Sequence, residues 1–141
     1  MSGPVAIVDT NIFISARNRH ERGFAACRKV LDQIDRGDLT AIVSTVTIAE
    51  IRSGMSREEI PTAWKAMLSH LLTSPNYRVE SVDADIAESA GELRATKQLA
   101  LPDALVVATG QLRGASYLVT QDRALGRRQD SLAIKLPENV G

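Results

Sequence analysis

The stretch Val5-Ala6-Ile7-Val8-Asp9-Thr10-Asn11-Ile12-Phe13-Ile14 decides the fold of this chain. Four apolar residues run directly into an acidic one, which is typical of a short strand buried on both faces of a parallel sheet. Such a strand has no solvent-facing side, so its first polar residue marks the point where it leaves the core. Asp9 is therefore predicted to lie at the carboxyl end of a central strand, the edge where open α/β sheets bind ligands. A carboxylate there is either a functional group or a costly buried charge that needs partners.

Strands and helices are predicted to alternate along the rest of the chain. Short apolar runs predict further strands at residues 39–43, 77–82, 117–120 and 132–136. Apolar residues at helical spacing predict helices that begin near residues 23, 44, 60, 83 and 102. This order predicts a single α/β domain over residues 1–141 with a mainly parallel sheet, in which the strand at 77–82 lies at an edge.

Composition excludes several classes of protein. The 17 basic and 17 acidic residues give a net charge of zero, which does not indicate a strongly basic nucleic-acid binder. Cys27 is the single cysteine, so no intramolecular disulfide forms, in agreement with a reducing cytoplasm. His20 and His70 are too far apart in sequence to suggest a structural zinc site. Without a signal sequence or an apolar run of about 18 residues, a cytoplasmic protein away from membranes is expected.

Four acidic residues are predicted to meet at one edge of the sheet. Asp9 follows the first strand, and Glu50 lies in the helix after the second. Asp103 opens a helix, and Asp122 comes two residues after the fourth strand. Four carboxylates in one place repel each other, and a hard divalent cation such as Mg²⁺ or Mn²⁺ resolves this because it prefers oxygen ligands. Such a site activates water and stabilises in-line displacement at phosphorus.

Each acid also has a structural interpretation. Asp103 suits a helix N-terminus. Asp122 suits an Asx turn, and Glu50 suits an exposed helix face. Asp9 is the hardest to explain structurally, because it directly ends a buried strand. Four independent coincidences at one sheet edge are a weaker explanation than one shared site.

Neutral and basic residues accompany the acids in sequence. Thr10, Asn11 and Thr120 are predicted to orient the carboxylates or their waters. No histidine, cysteine or lysine stands next to any of the four acids, which argues against a protein nucleophile. Three arginines closely follow the last acid, and they either steer an RNA backbone by charge or form a solvated loop. These are Arg123, Arg127 and Arg128.

Four motifs together resemble those of PIN-domain ribonucleases, and most closely those of VapC-type toxins from prokaryotic toxin–antitoxin pairs. The motifs are VDTNIFI at 8–14, STVTIAEI at 44–51, PDALVVAT at 102–109 and LVTQD at 118–122. They occur in the family's order at fitting spacing and span nearly the whole chain. The resemblance implies a three-layer α/β/α sandwich with a mainly parallel central sheet and the first strand at its centre.

The resemblance also implies an activity and partners. It implies an Mg²⁺- or Mn²⁺-dependent endoribonuclease whose catalytic and metal-binding residues are Asp9, Glu50, Asp103 and Asp122, with one ion or two. Substrates of such enzymes include tRNA and ribosomal RNA. A homodimer is expected, inhibited by a small cognate antitoxin in a heterotetramer or larger complex. Three apolar side chains are predicted either to join the core or to line a groove for that antitoxin. These are Met55, Trp64 and Met67.

Two other functions are weighed against this one. A receiver-like phosphoacceptor domain has the same layered fold, but it needs an acidic pair after the first strand, where this chain has Thr10 and Asn11. Its middle strand would also end in an Asp, where this chain has Ser44. A non-catalytic module that binds RNA or protein gains nothing from four clustered carboxylates beside an anionic partner.

Overall fold

A computed structural model of the chain describes residues 3–141. Five strands form one all-parallel sheet in the order β3-β2-β1-β4-β5. The first strand is central and the third lies at an edge, as the sequence predicted. The strands are β1 (Val5–Val8), β2 (Thr40–Ser44), β3 (Tyr77–Glu80), β4 (Tyr117–Val119) and β5 (Ala133–Lys135).

Helices cover both faces of the sheet. They are α1 (Thr10–Ser15), α2 (Phe24–Asp35), α3 (Thr45–Ser53), α4 (Lys65–Thr73), α5 (Ala84–Lys97), α6 (Leu101–Leu112) and α7 (Leu125–Arg128). A π-helical turn at Ile60–Trp64 leads into α4, and a 3-10 turn at Pro137–Asn139 lies near the C-terminus. Across residues 3–141, no helix combines the length and the apolar character needed to cross a membrane.

The alternation of β1 side chains builds two separate cores. Ala6 and Val8 point to one face, where they pack with residues of α1, α2 and α4 such as Phe13 and Ile34. Ile7 points to the other face and packs with residues of α5 and α6. Ala6, Ile7 and Val8 are all fully buried. The chain is therefore the predicted three-layer α/β/α sandwich, with β1 covered on both sides.

Most predicted element ends are confirmed. The Ser44 hydroxyl accepts a hydrogen bond from the Val46 backbone at 3.1 Å and so caps α3. Ser56 and Glu59 form the reciprocal bonds of a capping box, at 3.3 and 2.8 Å. Gly114 follows α6 with a φ of +86°, the left-handed conformation that ends many helices.

Helix α1 is the element that the sequence did not predict. After Asp9 the chain turns at once into a six-residue helix, whose Ile12 and Phe13 are buried against the sheet. A helix this short contains too few residues for helical periodicity to show. Its consequence for the site is direct, because Asp9 becomes the residue at which β1 ends and α1 begins.

Gly110 lets α6 pack directly on the central strand. A Cβ at this position would lie 2.7 Å from Ile7 Cγ2 and 2.7 Å from Leu132 Cδ2. We expect Gly110→Ala to lower the free energy of unfolding by about 1–3 kcal/mol, because the overlap outweighs the gain in helix propensity. Urea denaturation measures this. The matched control is Gly91→Ala, at an exposed position of α5 where an added Cβ would contact no neighbouring element within 4 Å, which should raise stability by about 0.5–1 kcal/mol. If both substitutions stabilised the protein, α6 could not pack as closely on β1 at Gly110 as the structure shows.

Candidate active site

Asp9 is held at the end of β1 by donors from two elements. The Thr120 hydroxyl, just after β4, donates to Asp9 Oδ2 at 2.7 Å. The Thr10 backbone N–H donates to Oδ1 at 2.8 Å, and Asn11 Nδ2 lies 3.4 Å from Oδ2. Only 8% of Asp9 is exposed. The carboxylate is therefore fixed in orientation and largely withdrawn from water.

Burial sets the protonation behaviour of Asp9. It raises the pKa of Asp9 to about 6, and the hydrogen bonds from Thr120 and Thr10 oppose this shift. The negative charges of Asp103 and Glu50 raise the pKa further. The fold thus keeps a carboxylate in surroundings that disfavour its charged form, with no basic side chain bonded to it.

Thr10 connects Asp9 to Glu50. Its hydroxyl donates to Glu50 Oε1 at 2.5 Å and lies 3.2 Å from the Thr47 hydroxyl. Thr47 is fully buried and lies one turn before Glu50 on α3. Sequence reasoning gave Thr47 no role, although its i, i+3 spacing from Glu50 placed both on one helix face. Thr10 therefore orients two of the four acids, one through its backbone and one through its side chain.

Asp103 and Asp122 differ in their surroundings. Asp103 lies half-buried in the first turn of α6, and burial, followed by the charges of Asp122 and Glu50, raises its pKa. Arg128 opposes this shift. Asp122 is exposed, and its Oδ1 accepts a hydrogen bond from the Ala124 backbone at 3.0 Å. The Asx turn considered for Asp122 is therefore present, while Asp103 accepts no hydrogen bond within residues 3–141.

The four carboxylates lie within electrostatic reach of one another. The charges of Glu50 and Asp103 act on Asp9, and those of Glu50 and Asp122 act on Asp103. In the described part of the chain, none of the four forms an ion pair with a basic side chain. As the side chains stand, however, no three acidic, histidine or cysteine residues between 3 and 141 come close enough together to enclose an ion.

This donor set fits a hard divalent cation that keeps part of its water shell. Mg²⁺ typically retains several waters and binds through one or two carboxylates plus substrate phosphate, so it does not need an all-protein cage. Asp9, Glu50 and Asp103 repel one another and none of them is ion-paired within residues 3–141, and such a cation relieves this repulsion. The Thr10 and Thr120 hydroxyls donate hydrogen bonds to Glu50 and Asp9, and hydrogen bonds of this kind orient carboxylate ligands where a metal is bound.

The Thr120 hydroxyl takes part in three hydrogen bonds at the site. This fully buried hydroxyl donates to Asp9 and accepts from Asn11 Nδ2 and from the Asp122 backbone N–H, both at 3.1 Å. One hydroxyl thus links the ends of β1 and β4. The structure places Thr10, Asn11 and Thr120 around the acids, where the sequence predicted second-shell groups.

Gln121 extends this network and was missed by sequence reasoning. Its backbone N–H donates to Asn11 Oδ1 at 3.1 Å. Its side-chain amide donates to the Asn11 carbonyl at 3.2 Å and to Ser15 Oγ at 2.8 Å. The sequence places Gln121 between two predicted site residues, Thr120 and Asp122, and this position could have indicated a role at the site.

The three predicted RNA-binding arginines differ in their contacts. Arg128 lies near enough to Asp103 to lower the pKa of that carboxyl. Arg123 instead pairs with Glu138 at 3.3 Å, in the C-terminal 3-10 turn. Arg127 is exposed and forms no ion pair with residues 3–141. Arg128 and Arg123 therefore interact with different acidic residues.

Asp9 should make the stability of the metal-free protein depend on pH. Because its folded pKa of about 6 exceeds the ordinary 3.8, protonation favours the folded state. That stabilisation is complete below the ordinary value and is lost as the pH rises through the folded value. Between about pH 4 and pH 7, wild type in EDTA should lose on the order of 3 kcal/mol relative to Asp9→Asn. Urea denaturation of both proteins across this range measures the difference, and parallel profiles would contradict it.

Comparison with known proteins identifies the family. A sequence profile of the PIN domain matches residues 6–130. No curated protein sequence matches the chain significantly. Among solved structures, a toxin–antitoxin complex from Klebsiella pneumoniae contains a chain that is 23% identical, with a TM-score of 0.70 and coverage of 96% of this chain and 99% of that one. VapBC2 from Rickettsia felis, bound to a promoter DNA fragment, is 18% identical with a TM-score of 0.70, covering 94% and 98%. DNA-bound VapBC from Salmonella typhimurium is 17% identical with a TM-score of 0.70, covering 96% and 98%. With the profile matching most of its length, the chain belongs to the PIN domain family.

Proposed function

We propose that this PIN-domain protein is a divalent-metal-dependent endoribonuclease. The observation that carries the proposal is the charge coupling of Asp9 and Asp103 with Glu50 and Asp122, none of which forms an ion pair with a basic side chain in residues 3–141. Its motifs are those of PIN-domain ribonucleases, and its fold matches that of proteins solved as toxin–antitoxin complexes. Asp9 also caps α1 through the Thr10 backbone N–H, but a neutral Asn or Ser fills that role equally well, whereas burial raises the pKa of Asp9 to about 6.

Asp9, Glu50 and Asp103 would hold Mg²⁺ or Mn²⁺, directly or through water, and Asp122 would complete the site or hold a second ion. When bound, the cation supplies charge neutralisation and lowers the pKa of water for attack on phosphorus. In the hydrolysis, the water oxygen bonds to phosphorus, one bond from phosphorus to a ribose oxygen breaks, and that oxygen takes up a proton. The protein side chains hold the cation, and with it the attacking water, in position.

Two hydroxyl groups restrain two of these carboxylates. The Thr120 hydroxyl donates to Asp9 Oδ2 and the Thr10 hydroxyl donates to Glu50 Oε1, so the orientation of both carboxylates is restrained before a cation binds. Arg128, near Asp103, supplies positive charge beside the acids, where the phosphate backbone of RNA would pass.

The proposal includes the toxin role and a small antitoxin partner. An apolar cleft of about 260 Å³ lies between α2 and α4, and it is suited to the apolar side of a short partner segment. Its lining includes Phe13, Leu31, Met67, Leu71 and Tyr77. Met67 is half-buried there, whereas Met55 and Trp64 are each only 7% exposed and belong to the core. A cytoplasmic homodimer that forms a heterotetramer or larger complex with the antitoxin completes the proposal.

Incubation of the purified protein with total cellular RNA tests the activity. Cleavage is expected with Mg²⁺ or Mn²⁺ and should be lost in excess EDTA, and sequencing the new ends would identify the RNA. Cleavage that persists in EDTA would contradict metal dependence. Transfer of phosphate to Asp9 from a small phosphodonor, without RNA cleavage, would instead support a signalling domain. Co-purification with a small protein encoded by a neighbouring gene tests the toxin role.

A further inference from the structure

A second cavity lies beside the acidic site. Its volume is about 410 Å³, within the range of pockets that bind small molecules. It lies between the start of α2, the end of β4 and the C-terminal 3-10 turn. Six of its lining residues form what we call the arginine pocket: Arg22, Gly23, Gln121, Arg123, Pro137 and Glu138.

Gln121 joins the arginine pocket to the acidic site. Its backbone donates to Asn11 Oδ1 at 3.1 Å, and Asn11 Nδ2 in turn lies 3.4 Å from Asp9 Oδ2. The Gln121 backbone and the Asn11 side chain thus connect the pocket to Asp9. Gln121 and Arg123, which line the pocket, also stand on either side of Asp122 in the sequence, so the pocket borders the acidic site.

The Gln121 side chain presents a free acceptor. Its amide NH₂ donates to the Asn11 carbonyl, which can only accept, so the orientation of the amide is fixed. Its oxygen receives no hydrogen bond from residues 3–141. It is not a buried atom, because Gln33 Oε1 is the one buried side-chain oxygen or nitrogen without a partner among these residues. The Gln121 oxygen consequently remains in contact with solvent. Gly23 faces this oxygen so closely that a Cβ there would overlap it.

The charges of the pocket favour an anion. Arg22 is exposed and forms no ion pair within the described residues. Arg123 pairs with Glu138 at 3.3 Å, and this pair is solvent-exposed, with 70% and 49% of the two side chains accessible. Such exposed pairs contribute little to stability, so a phosphate can replace Glu138 as the partner of Arg123. Two arginines against one glutamate leave a net positive pocket.

We propose that the arginine pocket binds the nucleotide next to the scissile phosphate of the RNA substrate. Arg22 and Arg123 contact its phosphate, and the Gln121 oxygen accepts a hydrogen bond from the same nucleotide. Arginine suits this role because its planar guanidinium binds phosphate through paired hydrogen bonds and stacks on bases. The inference rests on the proposed ribonuclease function, and it adds Arg22 and Gln121 as residues that position the substrate.

Binding of a short fluorescently labelled single-stranded RNA of mixed sequence, followed by anisotropy in EDTA, tests the pocket without requiring cleavage. Arg22→Ala and Arg123→Ala should each raise the Kd about 5–10-fold and lower the salt slope of log Kd by about 1. The matched control is Arg19→Ala, an exposed arginine of the same segment that does not line the pocket. Gly23→Ala keeps all charges but displaces the Gln121 amide, so it should weaken binding with an unchanged salt slope.

Cleavage kinetics separate this inference from the proposed function. With Mn²⁺ present, Arg22→Ala should raise KM and leave kcat near the wild-type value, because it removes binding common to ground and transition states. One outcome is that wild type cleaves RNA while Arg22→Ala and Arg123→Ala bind and cleave like Arg19→Ala. That result would show that the pocket is not a subsite, and the proposed nuclease function would still hold. If wild type cleaves no RNA but both variants still lose RNA affinity, the pocket is an RNA site and the nuclease proposal fails.

Discussion

Asp9→Asn should lower the rate of RNA cleavage about 10³-fold, as expected when a group central to charge stabilisation is lost. Asparagine keeps the size of the side chain, and its Oδ1 can still accept from the Thr10 backbone. What it removes is the negative charge that the proposed cation requires, together with the Oδ2 acceptor of the Thr120 hydroxyl. Because burial disfavours the charged form of Asp9, the loss of that charge should offset the stability lost with this hydrogen bond in EDTA at neutral pH.

The matched control for this variant is Asp130→Asn. Asp130 is an acid whose side chain is 91% exposed, and its ionic contact within residues 3–141, with Lys97 at 3.8 Å, lies outside the acidic site. This variant should cleave RNA at the wild-type rate. Equal activity of Asp9→Asn and Asp130→Asn, with both proteins folded by circular dichroism, would remove Asp9 from the mechanism.

Thr120→Val should reduce cleavage about 10–100-fold, the usual cost of losing a second-shell partner of a metal ligand. Valine preserves the shape but removes the hydroxyl that holds Asp9 and accepts from Asn11. The hydrogen bond from Thr120 lowers the pKa of Asp9, so its loss should move the acid limb of the pH–rate profile to higher pH.

Thr120→Ser distinguishes the hydroxyl from the methyl group. It retains the donor to Asp9, so it should recover most of the activity and the wild-type pH profile. The pH–rate profile is the decisive readout, because a packing defect alone would lower the rate without moving the acid limb. Loss of activity in Thr120→Ser equal to that in Thr120→Val would show that packing, rather than the hydrogen bond, matters at this position.

The central part of this fold was readable from the sequence because β1 is buried on both faces. In an α/β chain, an uninterrupted apolar run that ends in Asp9 predicts a central strand of a parallel sheet, and the structure confirms this prediction. Helix α1 was not readable, since six residues span less than two helical turns and Ile12 and Phe13 continue the apolar character of the strand. The structure is needed to show that Asp9 ends the strand and begins a helix at once.

The acids of the candidate site were readable from the sequence, but their supporting contacts only partly so. Asp9 follows β1 directly and Asp122 comes three residues after the end of β4, so their placement at this edge of the sheet follows from topology alone. Thr47 and Gln121 depend instead on contacts between distant parts of the chain: Thr47 lies beside Thr10, and Gln121 bonds to Asn11 and Ser15. Single-sequence patterns carry no information on such pairs, because periodicity reports only which face a residue occupies.

Anomalous diffraction from crystals soaked in Mn²⁺ tests the central claim most directly, because it asks whether the acids meet around one ion. We predict an anomalous peak about 2.0–2.2 Å from carboxylate oxygens of Asp9 and of at least one of Glu50 and Asp103, which requires small side-chain rotations from the positions described. The same peak should be absent from crystals of Asp9→Asn. A fully active protein whose Mn²⁺-soaked crystals show no peak within bonding distance of Asp9 would contradict the account.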